Sequence, residues 1–253
     1  MTKKNISWGK FCVFLTALFT FTMALPVAFA NESLHHYSAE TGRADLSERE
    51  IGASLGSASM IYDRLNLASL GLSPKAFDYA LCGMEKLRDM GKLMNDQIIT
   101  IVDFSRPSSQ KRLFIIDLAE QRLLYNTYVA HGQKSGKEFA RSFSNRPESN
   151  QSSLGFYVTQ GTYMGGNGYS LKLEGMERGI NDKAADRAIV MHGAPYVNES
   201  LVNSQGYIGR SWGCPAVPEK LNRPIIETIK NGSCLFIYAE KKDYFKRSQI
   251  LNS

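Results

Sequence analysis

The sequence predicts a mainly β domain that follows a helical segment. Apolar side chains recur at helical spacing in parts of residues 31–95, and from residue 97 short runs rich in β-branched and aromatic residues replace them. The chain has 253 residues, of which 43% are hydrophobic, and this suits one globular domain with additional segments. We therefore expect a helical N-terminal segment over residues 31–95 and one β-rich domain over residues 96–253.

The N-terminus has the pattern of a secretory signal peptide over residues 1–30. Three lysines precede an apolar run at residues 11–25, and Ala28 and Ala30 supply the small residues of a signal-peptidase site. The alternative is an uncleaved membrane anchor, because the run and its flank approach the roughly 18 to 20 residues that span a bilayer. Pro26 favours cleavage. We expect an exported protein of the periplasm or cell envelope, without stable membrane insertion after cleavage.

The charge of the chain excludes some classes of partner. The formal charge is +6, and removal of residues 1–30 takes away three lysines and no acidic residue, which leaves +3. Such a weak excess is compatible with an acidic polymer but identifies no partner. The sequence contains no long basic run, and with the expected export we predict no nucleic-acid binding. The oligomeric state is left open.

The four cysteines fall into two groups, one in the expected signal peptide and three in the mature chain. Cys12 leaves with the signal peptide, so the mature chain keeps Cys82, Cys214 and Cys234, an odd number for an oxidising compartment. Cys82 and Cys234 could pair if their Cα atoms lie within about 7 Å. The alternative is that both are small buried apolar residues. Because no Cys-x-x-Cys or His-x-x-x-His cluster occurs, we do not expect a zinc site.

The clearest helix of the N-terminal segment is expected at residues 74–92. Ser73 is placed as its N-cap and Pro74 lies in its first turn, with apolar residues at helical spacing behind them. A weaker helical stretch covers residues 46–70. Because residues 31–95 are too few for an independent core of any size, we expect a layer that covers one face of the domain rather than a separate binding module.

Strand-like runs separated by turn-forming residues follow, and they predict an antiparallel β domain with one amphipathic helix at residues 218–230. The glycine-rich residues 161–169 lack the Gly-Lys-Ser/Thr ending and the strand-to-helix context of a phosphate loop. We expect a mobile lid over a cleft there. The predicted strands cover residues 98–102, 112–116, 122–129, 154–159, 188–191 and 234–238.

The stretch from Gly209 to Ala216 contains the residues with the strongest chemical signal. A thiol with its free pKa of about 8.5 is only a few per cent ionised at pH 7, so a nucleophilic cysteine needs a base or a positive field beside it. Cys214 lies in a polar turn where an accessible thiolate could be stabilised, and His192 and Arg210 are the candidate base and cation. Gly213 would let the backbone bend sharply and aim its N–H groups at a developing oxyanion.

This motif resembles that of the YkuD-type L,D-transpeptidases of bacterial cell-wall synthesis. Their signature is a His-Gly, a variable stretch and Ser-x-Gly-Cys, which this chain carries as His192-Gly193 and Ser211-Trp212-Gly213-Cys214. Most members have His at the Trp212 position and Arg or Asn at the Ala216 position, so the chain resembles a divergent branch with Ser-x-Gly-Cys-Pro-Ala. The resemblance implies a YkuD-type β-sandwich over residues of about 97–240.

The resemblance also implies roles for the residues of the motif. Cys214 is the nucleophile, His192 is the base, and Gly193 matches the position that orients the imidazole. Apart from the resemblance, we expect the N–H groups of Gly213 and Cys214 to be the oxyanion donors, with a tyrosine such as Tyr163 or Tyr169 as a helper.

Three residues that precede the cysteine are candidates for substrate contact, and for two of them a structural interpretation is also open. Arg210 either binds a stem-peptide carboxylate or is a surface charge. Ser211 either holds the loop in shape or touches substrate, and Trp212 walls the cleft. Tyr163 is the alternative to Tyr169 as the helper tyrosine. His131, which also precedes a glycine, is the alternative to His192 as the base.

By the same resemblance, the expected activity is that of a peptidoglycan L,D-transpeptidase that acts on stem peptides and needs no metal and no cofactor. The Cys214 thiolate attacks the carbonyl of the third stem residue and expels the terminal D-alanine. An amine of a neighbouring stem then receives the acyl group in a 3–3 crosslink, or another amine becomes attached to the stem peptide. Transfer to water would instead make the enzyme an L,D-carboxypeptidase. A further alternative is a cell-wall-binding protein that has kept the fold and lost the activity.

Overall fold

The computed structural model describes residues 59–252, which belong to one compact unit. The expected signal peptide and the first half of the expected helical segment lie outside these residues. After a short helical stretch at residues 59–64, the elements are α1 (Pro74–Asp89), β1 (Asn95–Asp103), β2 (Leu113–Asp117), β3 (Arg122–Thr127), β4 (Gly155–Gly165), β5 (Gly168–Gly175), β6 (Val190–Ala194), α2 (Glu199–Gln205), β7 (Ala216–Pro218), α3 (Glu219–Ile229), β8 (Ser233–Tyr238) and α4 (Lys242–Arg247).

The strands form one eight-stranded sheet with the order β3-β2-β1-β8-β4-β5-β6-β7. The expected mainly β class is therefore confirmed. The hydrogen bonds between strands connect all eight into a single sheet, whereas a sandwich was expected. The expectation of antiparallel pairing was incomplete, because β1 pairs with β8 and β6 pairs with β7 in parallel. Parallel neighbours need a crossover connection, and the strand-like runs carry no signal for which strands such a connection joins.

The two edges of the sheet approach each other beyond β3. Ala130 forms an isolated antiparallel bridge with Ala216 of β7, and Gly132 forms a parallel bridge with Ser211. The sheet is therefore nearly closed, and the loop that follows β3 is held against the segment that leads into β7. This closure brings the 130–153 loop beside the predicted cysteine turn.

Helix α1 forms where the sequence predicts it and packs into the core of the β domain. The Ser73 hydroxyl accepts a hydrogen bond from the Ala76 N–H at 3.4 Å, and Pro74 occupies the first turn. Gly83 lies so close to the sheet that a Cβ there would be 2.0 Å from the Phe156 ring. The helix is thus a layer of the same core, and the chain does not divide at residue 95.

The glycine-rich segment differs from its expected form. Its residues extend β4 and begin β5, and the two strands form a hairpin with Gly168 at a φ of +74° after the turn. Gly165 and Gly168 face each other as the last pair of the hairpin. Glycines hide the alternating pattern of a strand, which is why the sequence indicated a loop.

The proposed disulfide does not form. Cys82 and Cys234 are both free, and Cys82 is exposed on α1 whereas Cys234 is fully buried in β8. The alternative expectation of two buried cysteines therefore holds for Cys234 only. Within residues 59–252, no helix is both long enough and apolar enough to cross a membrane.

Candidate active site

The imidazole of His192 is held by the backbone of its own strand. His192 lies in β6 with 3% of its surface exposed, and its Nδ1 is 2.8 Å from the Gly193 carbonyl oxygen. Because a carbonyl oxygen only accepts hydrogen bonds, Nδ1 must be the donor, and the neutral ring keeps its lone pair on Nε2. The Gly193 carbonyl thus has the geometry of an orienting group, and its catalytic role stays a prediction.

Gly193 has a second structural reason to be glycine. A Cβ at this position would lie 2.9 Å from Cβ of Asn222 in α3. The Asn222 side chain in turn donates to the carbonyl oxygen of Tyr169 in β5 at 2.7 Å. The missing side chain therefore lets α3 pack closely against the face of the sheet opposite His192.

The Cys214 thiol is more buried than the sequence indicated. Only 9% of the residue is exposed, so the expectation of an accessible thiol in a polar turn was wrong. Its Sγ accepts from the Val190 N–H at 3.5 Å and donates to the Ala188 carbonyl oxygen at 3.6 Å. The turn folds inward because the chain enters the core at β7 immediately afterwards.

Strand pairing places the cysteine and the histidine at the same end of the sheet. His192 is the partner of Ala216 in the parallel pair β6–β7, and Cys214 precedes that partner by two residues. The thiol is hydrogen-bonded to Ala188 rather than to His192. Proton transfer therefore requires the thiol to turn from the Ala188 carbonyl toward Nε2, a tightening that substrate-free active sites commonly need.

The Ser211 hydroxyl shapes the cysteine turn. It accepts from the Gly213 N–H at 3.0 Å and donates to the Cys214 carbonyl oxygen at 2.6 Å, while only 4% of the residue is exposed. Of the two interpretations for Ser211, the structure favours the one in which it holds the loop. Gly213 has a φ of +131°, and a Cβ there would lie 2.9 Å from the Gln151 carbonyl oxygen. This position therefore requires glycine.

The predicted oxyanion donors differ in availability. The Gly213 N–H is bound to the Ser211 hydroxyl, so it must leave this partner before it can act as the predicted oxyanion donor. The Cys214 N–H has no acceptor among residues 59–252 and remains the candidate donor. A hydrogen bond to a developing oxyanion is strongest when the donor has no competing partner.

Burial decides the protonation of the pair. It raises the pKa of the Cys214 thiol, and the Val190 N–H and the Arg187 guanidinium oppose this effect. Burial also lowers the pKa of His192, opposed by the hydrogen bond to Gly193. The resting site therefore holds a neutral thiol in the cysteine turn and a neutral imidazole on β6, which suits general-base activation at the moment of attack.

A model for the L,D-transpeptidase catalytic domain matches residues 68–238. The chain belongs to this family. The match includes the whole motif from His192 to Cys214, together with helix α1 and the sheet as far as the end of β8. No curated protein matches the sequence significantly.

Several solved structures resemble this L,D-transpeptidase domain at low sequence identity. An L,D-transpeptidase from Mycobacterium smegmatis matches with 12% identity and a TM-score of 0.35, over 56% of this chain and 59% of the other. The helical cell shape determining protein Pgp2 from Campylobacter jejuni matches with 11% identity and a TM-score of 0.38, over 57% and 48%. L,D-transpeptidase 3 from Mycobacterium tuberculosis matches with 10% identity and a TM-score of 0.33, over 56% and 61%. The chain thus spans less than two thirds of these proteins.

Two of the predicted binding residues of the transpeptidase domain are exposed near the cysteine turn. Trp212 is 76% exposed beside the cysteine, where it is free to contact a ligand. Arg210 is exposed and donates to the Gly136 carbonyl oxygen at 3.3 Å, so it is tied to the neighbouring loop, and it forms no ion pair with a carboxylate of residues 59–252. Both remain candidates for substrate contact.

Tyr169 does not join the site. Ser170 is the strand partner of His192, so the preceding residue Tyr169 points to the opposite face of the sheet. There its hydroxyl donates to Glu227 of α3, and the Arg223 guanidinium lies 4.2 Å from its ring centroid. The expectation that Tyr169 helps to bind the oxyanion was therefore wrong. The alternation of side chains between the two faces of β5 decides where Tyr169 points, and the sequence did not predict this strand.

His131, the rival base, is occupied on both ring nitrogens. The fully buried Arg112 donates to its Nδ1 at 2.7 Å, and its Nε2 lies 3.2 Å from the Gly136 carbonyl oxygen. Burial and the positive charge of Arg112 lower the pKa of His131 to about 3. The ring is therefore neutral and donates through Nε2, so it has no free lone pair with which to act as a base.

Arg187 is the site residue that sequence reasoning missed. Its guanidinium lies against the cysteine turn, with Nη2 3.4 Å from the position of a Cβ on Gly213. It is one arginine in a polar segment before β6, and nothing in the local sequence distinguishes it from a surface charge. Within residues 59–252, no group of three or more His, Cys, Asp and Glu side chains is arranged to hold a metal ion.

Proposed function

We propose that the protein is an exported peptidoglycan L,D-transpeptidase with Cys214 as nucleophile and His192 as general base. The observation that carries this proposal is the His192 tautomer. The Gly193 carbonyl holds Nδ1–H at 2.8 Å, which leaves Nε2 as a base on the strand next to the cysteine turn. Family membership supports the reaction class, and stem peptides of peptidoglycan are the proposed substrate.

In the acylation half-reaction, Nε2 of His192 takes the thiol proton and the Cys214 sulfur attacks the carbonyl carbon of the third stem residue. The carbonyl oxygen gains negative charge, and the free Cys214 N–H is the donor directed to it. The bond to the terminal D-alanine then breaks, and the imidazolium gives its proton to the leaving amine. A thioester between Cys214 and the stem tripeptide remains.

In the second half-reaction, the amine of a neighbouring stem attacks the thioester. His192 accepts a proton from that amine, the bond between carbon and sulfur breaks, and the departing thiolate recovers a proton from the imidazolium. The product is a 3–3 crosslink. Water in place of the amine would yield a free tripeptide from the same thioester.

Stem tetrapeptides test this proposal. The purified protein should release D-alanine from them, whereas Cys214→Ala should release none, because the substitution removes only the sulfur of a buried residue. Cys82→Ala is the matched control, since it removes the exposed thiol of α1 and should leave the rate unchanged. Crosslinked dimers indicate transfer and tripeptides indicate hydrolysis. Release of D-alanine by Cys214→Ala would refute the cysteine mechanism.

Export is a separate part of the proposal, and it rests on the sequence of residues 1–30. Expression of the full chain in a bacterium with an envelope should yield a mature protein in the envelope fraction that begins at Asn31. N-terminal sequencing measures this directly. A protein that retains Lys3 and Lys4 in the cytosolic fraction would contradict export.

A further inference from the structure

Arg187 binds a loop next to the cysteine turn with both ends of its guanidinium. Nη1 donates to the Ser144 carbonyl oxygen at 2.8 Å and to the Ser153 hydroxyl. Nη2 donates to the Gln151 carbonyl oxygen at 2.6 Å and to the Ser149 hydroxyl at 3.1 Å. Four hydrogen bonds thus anchor residues 144–153 to one side chain.

The same guanidinium lies close to the cysteine turn. A Cβ on Gly213 would lie 3.4 Å from Nη2 of Arg187 and 2.9 Å from the Gln151 carbonyl oxygen that Nη2 holds. The guanidinium and the Gln151 carbonyl oxygen thus occupy the space that a side chain at Gly213 would need, on one side of the turn. The residue that follows Gly213 in this packed turn is the nucleophile.

The charge of Arg187 is not cancelled by a carboxylate. All four of its acceptors are neutral carbonyl or hydroxyl oxygens, and it forms no ion pair within residues 59–252. An arginine that is half-buried and bound by neutral oxygens keeps its positive field, which is weakly screened in such surroundings.

The other titratable groups around Cys214 do not supply this charge. His192 is neutral, as argued above, and Tyr196 is neutral because burial, and after it the thiolate charge of Cys214, raise its pKa to about 12. Arg210 is exposed and turned to the Gly136 carbonyl. Arg187 is thus the cation whose charge acts on Cys214, and it opposes the effect of burial on the thiol pKa.

We infer that Arg187 is a positioning residue for the cysteine: its charge stabilises the thiolate form of Cys214, and its fork of donors fixes the 144–153 loop against the cysteine turn. This inference rests on the proposed function for its catalytic meaning, because a thiolate forms during attack and again when the thioester is resolved. In both steps the negative sulfur lies beside a cation that needs no reorganisation.

Alkylation of Cys214 by iodoacetamide as a function of pH tests this inference without any stem peptide. The parent protein carries Cys82→Ser, which removes the exposed thiol, and peptide mapping follows the reaction at Cys214. Arg187→Gln should raise the apparent pKa of Cys214 by about one unit and slow alkylation at pH 7 about tenfold. Arg187→Lys keeps the charge and should leave the pKa of Cys214 close to that of the parent protein.

Arg178→Gln is the matched control, because Arg178 is exposed and lies outside the contacts of Cys214. It should leave the alkylation profile unchanged. An unchanged Cys214 pKa in folded Arg187→Gln, or an equal shift in Arg178→Gln, would overturn the inference. If Arg187→Gln does not fold, Arg187→Met, which also removes the charge, takes its place: a rise of about one unit in the Cys214 pKa supports the role of charge, and an unchanged pKa overturns it.

The alkylation result is independent of the proposed activity. If D-alanine release is absent but Arg187→Gln shifts the alkylation profile, the proposed function fails and the inference about Arg187 stands. If D-alanine release depends on Cys214 but the profile does not shift, the inference fails and the proposed function stands.

Discussion

Replacement of Ser211 by alanine removes the hydroxyl that connects both sides of the cysteine turn. The change leaves the Gly213 N–H and the Cys214 carbonyl oxygen without their partner in a site where only 4% of Ser211 is exposed. Each unsatisfied buried group costs about 1 kcal/mol, so the variant should lose about 2 kcal/mol of unfolding free energy. A domain with about 5 to 15 kcal/mol of stability remains folded after such a loss.

The activity of Ser211→Ala should fall further than its stability implies. The hydroxyl fixes the carbonyl of Cys214, so its loss lets the thiol leave the geometry needed for attack, which lowers kcat by about a hundredfold. Urea unfolding measures the stability, and D-alanine release from a tetrapeptide measures kcat. Ser204→Ala, on an exposed residue of α2, is the control and should change neither. Full stability together with an unchanged kcat in Ser211→Ala would refute the reasoning.

Three further predictions concern pH, binding and strain. Because burial lowers the pKa of His192 and raises that of Cys214, kcat/KM should be flat from about pH 6.5 to about pH 8.5, and a midpoint inside this range would contradict a neutral resting pair. Trp212→Ala should raise KM for stem peptides and change the unfolding free energy by less than about 0.5 kcal/mol, since Trp212 is 76% exposed; an unchanged KM would remove it from the cleft. Ala188→Gly should stabilise the protein by about 1 kcal/mol in urea unfolding, because Ala188 has a φ of +51°, and a destabilised variant would contradict this account of strain.

The elements that the sequence predicted are those with a strong local signal. Helix α1 has a capping serine, a proline in its first turn and a continuous apolar face, and it forms within a few residues of the expected range. The missed elements are short or glycine-rich. Strand β7 has three residues and α4 has six, and β5 follows a turn rich in glycine. Such segments are specified by their neighbours more than by their own residues.

The site was predictable where residue type determines the chemistry. A cysteine between a glycine and a proline, with a His-Gly upstream, indicated the candidate cysteine turn and the histidine strand from residue identity alone, and their catalytic roles stay predictions. The orientation of Tyr169 depends on the register of β5 with β6, and the contribution of Arg187 depends on a loop distant in sequence. Both are long-range properties, and local patterns contain no information about them.

Mass spectrometry of the protein after incubation with a carbapenem tests the central assignment most directly. The β-lactam ring acylates an activated thiolate. Among the three thiols of residues 59–252, Cys82 is exposed, Cys214 is buried in the turn that leads into β7, and Cys234 is fully buried in β8. We predict one covalent adduct, mapped to Cys214, present in Cys82→Ala and absent in Cys214→Ala. An adduct on Cys82 with Cys214 unmodified would show that accessibility alone governs the reaction, and it would contradict the assignment of Cys214 as the nucleophile.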